Sequence, residues 1–151
     1  MKKNQEPFWK IKSLYEMDLN EWESLCDGCG ICCLEKIEDT DTGEIKLTSV
    51  TCEYYDNEDC HCSIYQSRFI VNPDCIQLTT ESISKLSWLP MTCAYRCLME
   101  GRELNWWHPL ISGSSDSVHQ AHISIKGRSI SGKYVYPDDL KNYLNQFQKK
   151  R

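Results

Sequence analysis

The chain has 151 residues, 40% of them hydrophobic and 11% aromatic, with ten cysteines and a formal charge of −5. That length fits about one domain, able to bury roughly 68–70% of its unfolded surface, so cross-links are not needed to rescue a small core. The acidic balance speaks against nucleic acid as a general partner, and no stretch approaches the ~18 consecutive apolar residues of a membrane span.

Residues 1–7 contain basic residues but no apolar run after them, so they do not read as a secretory signal. The expectation is a cytoplasmic protein. Thiols there stay reduced, and dense cysteines read as metal ligands in preference to disulfides. Nine ligating thiolates would take the formal charge from −5 to −14. Bound cations are what could offset that much negative charge in one place.

In chain order, residues 7–17 read as an arm or short helix carrying Trp9, Ile11, Leu14 and Tyr15. Asp18 and Glu21 have the spacing of a capping box and predict a helix over 19–25 that runs straight into Cys26. Runs at 34–37 and 44–47 flank Asp39-Thr40-Asp41-Thr42-Gly43 and predict a hairpin. Residues 50–77 are expected to be irregular. A short helix is predicted over 80–86, ended by Pro90, and a second over 93–100, capped by Thr92 and closed by Gly101. Ile123, Ile125 and Ile130 alternate like strands around a Lys126-Gly127 turn. Pro137 starts a C-terminal helix with Leu140, Tyr143, Leu144 and Phe147 on one face. The fold class is α+β. It is read as one small domain over 1–151, with short helices, hairpins and irregular metal-bound loops. Its cysteine-rich region spans about 26–97, and a strand and helix portion spans about 100–151.

Cys26-Asp27-Gly28-Cys29-Gly30-Ile31-Cys32-Cys33 carries the most chemistry. Cys26 and Cys29 have the spacing of a metal knuckle, which aims two sulfurs at one tetrahedral ion. With Cys32 they form CxxCxxC, the spacing that also opens a bacterial ferredoxin run. Cys32 and Cys33 are neighbours, and adjacent side chains do not share a face. They are expected to serve two different metals, or one ligates while the other packs. Cys60 and Cys62 lie on one face of an extended strand, with His61 on the other. The candidate ligands are Cys26, Cys29, Cys32, Cys33, Cys52, Cys60, Cys62, Cys75 and Cys93. Eight thiolates fill two four-cysteine sites or two cubanes. Nine fill a three-zinc cluster in which three sulfurs bridge. Cys97 is read as a buried apolar thiol.

The chain resembles the bacterial YcgN-type cysteine-cluster proteins, relatives of the YkgJ group of zinc- or iron-chelating proteins. The resemblance is carried by Pro7-Phe8-Trp9, by 21–30 and Cys32-Cys33-Leu34, by Cys60-x-Cys62 and Pro73-Asp74-Cys75, by 88–96, and by Trp107-His108-Pro109-Leu110. It implies a fold, metal ions as partners, and zinc, iron or an iron–sulfur cluster as cofactor. It implies no reaction. A similar cluster domain occurs in flagellin lysine methylases. The family pattern matches the nine cysteines and omits Cys97.

Three functions stay open on these grounds: a zinc- or iron-chelating protein, an iron–sulfur redox enzyme or electron carrier, and a metal-handling chaperone. There is no Ser/His/Asp set, phosphate-binding loop or dinucleotide motif. His119 and His122 form HxxH in what reads as loop and strand, His108 reads as a packed or capping histidine, and His61 as a surface group facing away from the thiols. Arg68 is a candidate to offset thiolate charge. Trp106 and Trp107 are expected in the core.

Overall fold

The computed structural model describes residues 6–144. Short elements dominate, and the α+β expectation holds. α1 (Phe8–Ile11) and a 3₁₀ turn (Leu14–Glu16) form the entry arm. α2 (Leu19–Ser24) starts at the predicted capping box. The Asp18 carboxylate accepts from Glu21 N–H, and the Glu21 side chain accepts from Asp18 N–H. Leu25 closes the helix and is fully buried, so the chain enters Cys26 from an anchored point.

β1 (Leu34–Glu38) and β2 (Ile45–Thr51) form the predicted antiparallel hairpin, with Lys36 opposite Leu47 and Glu38 opposite Ile45. The turn is stabilised by the Asp39 carboxylate, which accepts from Asp41 N–H at 2.8 Å. β5 (Ile130–Ser131) adds to β2 in parallel, pairing Val50 with Ile130. Two residues each make β3 (Tyr55–Asp56) and β4 (His61–Cys62), a separate ribbon in which Tyr55 sits opposite Cys62. α3 (Arg68–Val71), α4 (Ala94–Met99), α5 (Pro109–Ser112) and α6 (Ser117–Gln120) complete the helices. The core gathers Leu25, Ile31, Leu34, Leu47, Trp88, Leu89, Tyr95 and Ile125.

Several expectations are corrected. The helix over 80–86 is only a 3₁₀ turn, Ile83–Lys85. Thr92 does not cap α4: Cys93 occupies the cap position. Ile123 and Ile125 are not in strands. Ile125 is fully buried in irregular chain, and of the HxxH pair His119 lies in α6 while His122 follows in a turn, with no strand at either. From Pro137 the chain is a 3₁₀ helix, Pro137–Tyr143, and Leu144 forms a bridge to Thr48. Phe147, on the predicted helix face, lies outside the described residues. Trp106 is 62% exposed and Trp107 half-buried, because Trp107 reaches past the core to the cysteine loop. In each case tertiary packing overrode a short local pattern.

Candidate metal centre

The CxxCxxCC segment is a loop held from several sides. Gly28 and Gly30 have φ of 82° and 80°, the left-handed region in which a side chain is strained. At Gly30 there is also no room: an added Cβ would lie 2.6 Å from the Tyr55 hydroxyl and 2.8 Å from Ile125. Asp27 is buried and accepts from Cys29 N–H at 3.0 Å and from the Trp107 indole N–H at 3.4 Å. Ile125 N–H donates to the Cys29 carbonyl at 2.9 Å, and Cys52 N–H to the Cys33 carbonyl at 2.7 Å.

His108 anchors the entry to the loop. It is 2% exposed. Its Nδ1 accepts from Leu110 N–H at 3.0 Å, which leaves the proton on Nε2 to donate to the Leu25 carbonyl at 2.7 Å. It is thus the packed, capping histidine that the sequence suggested. His108→Ala leaves both backbone groups without this partner and opens a cavity. A loss of about 2–4 kcal/mol is expected from denaturant unfolding of the metal-loaded protein. A loss under about 0.5 kcal/mol, the size of an ordinary surface change, would show that the residues after 100 do not hold the loop.

The adjacent thiols point to different neighbours. Burial pushes the Cys32 thiol well above its ordinary range, and charge on Cys93 and Cys26 adds to the shift. Cys29 is raised by burial, then by Asp27, Cys32 and Cys26. Cys26 is pushed up to about 11 by burial and then by Asp27. Cys26 and Cys32 open to solvent on one side while dense protein surrounds their sulfurs on the other. Cys33 is raised to about 12 by burial and then by Cys62, Cys52 and Cys75. Cys52 and Cys75 are raised by burial, and each is also raised by Cys62. By these influences Cys26, Cys29, Cys32 and Cys93 group as one set and Cys33, Cys52, Cys62 and Cys75 as another, with Cys33 also raising Cys32. Cys32 and the second set together border a cavity of about 600 Å³. Among the described residues, no three cysteine sulfurs lie within 4.8 Å of one another.

Cys60 departs from the expected strand. Its φ is +59°, so the alternation that would align it with Cys62 is broken. Its sulfur lies 3.9 Å from the carbonyls of Asn57 and Glu58 and faces Tyr55. Cys97 is 1% exposed, as expected of a packed thiol, with its sulfur 3.4 Å from the Met91 carbonyl and 3.5 Å from Arg102.

Two cations attend the thiols. Arg68 stacks on Tyr65 at 3.7 Å and draws the Cys75 thiol back down. Lys36 was not singled out in the sequence. Its ammonium donates to the carbonyls of Cys32 at 3.0 Å and Leu34 at 2.7 Å, and lies 4.2 Å from the Trp88 ring centroid. Burial lowers its pKa, and Cys32 and Cys33 raise it again. The only sequence signal was its position three residues after Cys33, because the bulge between Leu34 and Lys36 that turns it inward is a tertiary feature.

None of the four histidines groups with a cysteine as a candidate metal cluster among the described residues. His119 bonds the Ser124 hydroxyl at 2.6 Å, and His122 is exposed with φ +60°. His61 is exposed beside Asp56 and Asp59. The Asp56 carboxylate accepts from the backbone of Glu58 and Asp59 and shapes the turn that carries Cys60.

The CxxCxxCC family, described as a "Putative zinc- or iron-chelating domain", matches residues 25–94, the stretch that holds all nine of these cysteines. The UPF0260 protein of Rhizobium johnstonii is 55% identical over 141 residues, covering 93% of this chain and 89% of that protein. The chain belongs to the UPF0260 family. Further UPF0260 relatives include those of Sinorhizobium fredii, 54% identical over 138 residues, and Agrobacterium fabrum, 52% identical over 141. They cover 91% and 93% of this chain, and 89% and 87% of their own lengths. No solved structure matches the chain. A zinc- or iron-chelating role is therefore a family property of the segment that gathers the thiols. No helix among the described residues is long and apolar enough to cross a membrane.

Proposed function

We propose that this protein carries two four-thiolate iron–sulfur centres, one on Cys26, Cys29, Cys32 and Cys93 and one on Cys33, Cys52, Cys62 and Cys75. The observation that carries the reading is the split at Cys32 and Cys33. Charge on Cys93 and Cys26 acts most on Cys32, whereas Cys62, Cys52 and Cys75 act on Cys33. A single mononuclear site would have no use for that divergence.

The spacing of the thiols favours iron–sulfur over zinc. Four sulfurs around one zinc at about 2.3 Å lie about 3.8 Å apart. No cysteine trio among the described residues is that compact, even within 4.8 Å. A cubane binds each thiolate to a different iron at a different corner, which spreads the sulfurs. Arg68 and Lys36 suit such a group, since both bring positive charge toward the thiols without donating a ligand. When bound, such centres supply one-electron redox chemistry. The protein then acts as an electron carrier, or as the redox part of a larger reaction.

Anaerobic purification with iron, zinc and sulfide analysis tests this reading. Two cubanes require about eight irons and about eight sulfides per chain, with broad visible absorption. A colourless protein with stoichiometric zinc and no sulfide would overturn it in favour of zinc chelation.

A further inference from the structure

Tyr55 is the one buried polar side chain in the thiol region without a hydrogen-bond partner among the described residues. The residue is 6% exposed, and its hydroxyl oxygen is wholly buried without a well-formed hydrogen bond, the Cys60 thiol being its nearest polar neighbour. Leaving a hydroxyl so costs about 1–3 kcal/mol, so a buried orphan calls for an explanation. β3 sets Tyr55 directly opposite Cys62, and its ring crosses to the CxxCxxCC loop. The hydroxyl reaches the loop at Gly30, where even a methyl group would meet it at 2.6 Å. Cys60, Cys33 and Cys29 surround it. Cys33 and Cys29 come from different thiol sets. Cys60, whose backbone is left-handed at φ +59°, brings its thiol close to the same hydroxyl.

We propose that the Tyr55 hydroxyl is a built-in hydrogen-bond donor to thiolate sulfur at the junction of the two centres, where Cys29, Cys33 and Cys60 meet. A protonated thiol needs no such donor, whereas a metal-bound thiolate is an acceptor with spare lone pairs. The phenol O–H supplies the proton and stays a phenol, held neutral by its buried setting. A hydrogen bond to sulfur stabilises the more negative, reduced form of a centre and raises its potential. Tyr55 is thus a positioning and tuning residue. Gly30 is the residue that makes room for it.

The potential readout rests on the iron–sulfur reading above, while metal release does not. Tyr55→Phe keeps the ring in the core and removes only the hydroxyl. The variant is expected to keep its metal content and melting temperature. Its visible bands should reduce at lower potential, and it should lose metal to a competing chelator roughly tenfold faster, the lower end of the effect of removing such partners. A tenfold change in the stability of the reduced form corresponds to about 59 mV for one electron.

Unchanged potential together with unchanged release would overturn the proposal. If Tyr55→Phe fails to fold, protein made with 3-fluorotyrosine decides. Its more acidic phenol should raise the potential and slow release, and no change there would equally overturn the proposal. If the wild-type protein proves to hold zinc alone, the iron–sulfur reading falls, and chelator release from Tyr55→Phe still decides the role of the hydroxyl.

Discussion

Removing metal under reducing conditions is expected to abolish the cooperative thermal transition of this protein. Between Cys52 and Cys93 the regular structure amounts to two two-residue strands, short 3₁₀ turns and one four-residue helix. Apart from the buried Tyr55, Ile83, Trp88 and Leu89, these segments have little to offset the entropy of ordering about forty residues. Thiolate–metal bonds contribute roughly 10–16 kcal/mol in small zinc-bound folds, as much as the whole stability of an ordinary domain. Near-UV circular dichroism and hydrogen exchange after chelation provide the check. Exchange protection should vanish over 26–93. An apo-protein that melts at the same temperature as the loaded one would sink the idea that metal organises these loops.

The pH dependence of the two states should differ in sign. In the metal-free fold, burial holds Cys26 near 11 and both Cys33 and Cys93 near 12. The unfolded thiol value is about 8.5, so above that pH the folded state binds more protons than the unfolded one. Without metal, the contribution of these thiols to compact packing is thus fully present below about pH 8.5 and is lost as pH rises toward the folded values, though it is too small to restore a cooperative transition by itself. In the loaded protein metal replaces those protons, so acid is what releases it.

Serine at each member of the adjacent pair should remove a different half of the metal. Cys32→Ser is expected to empty the centre of Cys26, Cys29 and Cys93 and to spare the other. Cys33→Ser is expected to empty the centre of Cys52, Cys62 and Cys75. Metal analysis should read about half the wild-type content in each single variant and almost none in the double variant. Hydrogen exchange should loosen 93–99 in the first case and 52–75 in the second. If both single variants lose the same metal, or if either loses all of it, the two-centre division is wrong.

The local signals that read correctly all rest on short-range chemistry. The Asp18 and Glu21 box and the Asp39 turn are made by residues two or three apart, so their partners were visible in the chain. The expectation that Cys32 and Cys33 diverge rests on adjacency, and the two residues lie in a 3₁₀ turn and not a strand. The Cys60 and Cys62 pattern failed because one left-handed residue cancels strand alternation, and nothing in Cys60-His61-Cys62 announces that φ. Trp106 misled for a different reason. Composition cannot tell which of two adjacent indoles is drawn to Asp27 and which is left in solvent.

By itself, then, the sequence determined the α+β class, the family and the dense thiol chemistry, because each depends on residue type and near-neighbour geometry. Only the tertiary structure decided that Lys36 turns in beside the thiols, that His108 ties the end of α2 in place, and that Tyr55 presses its hydroxyl against Gly30. Those are contacts between residues tens of positions apart, and chain spacing carries no information about which loops will meet.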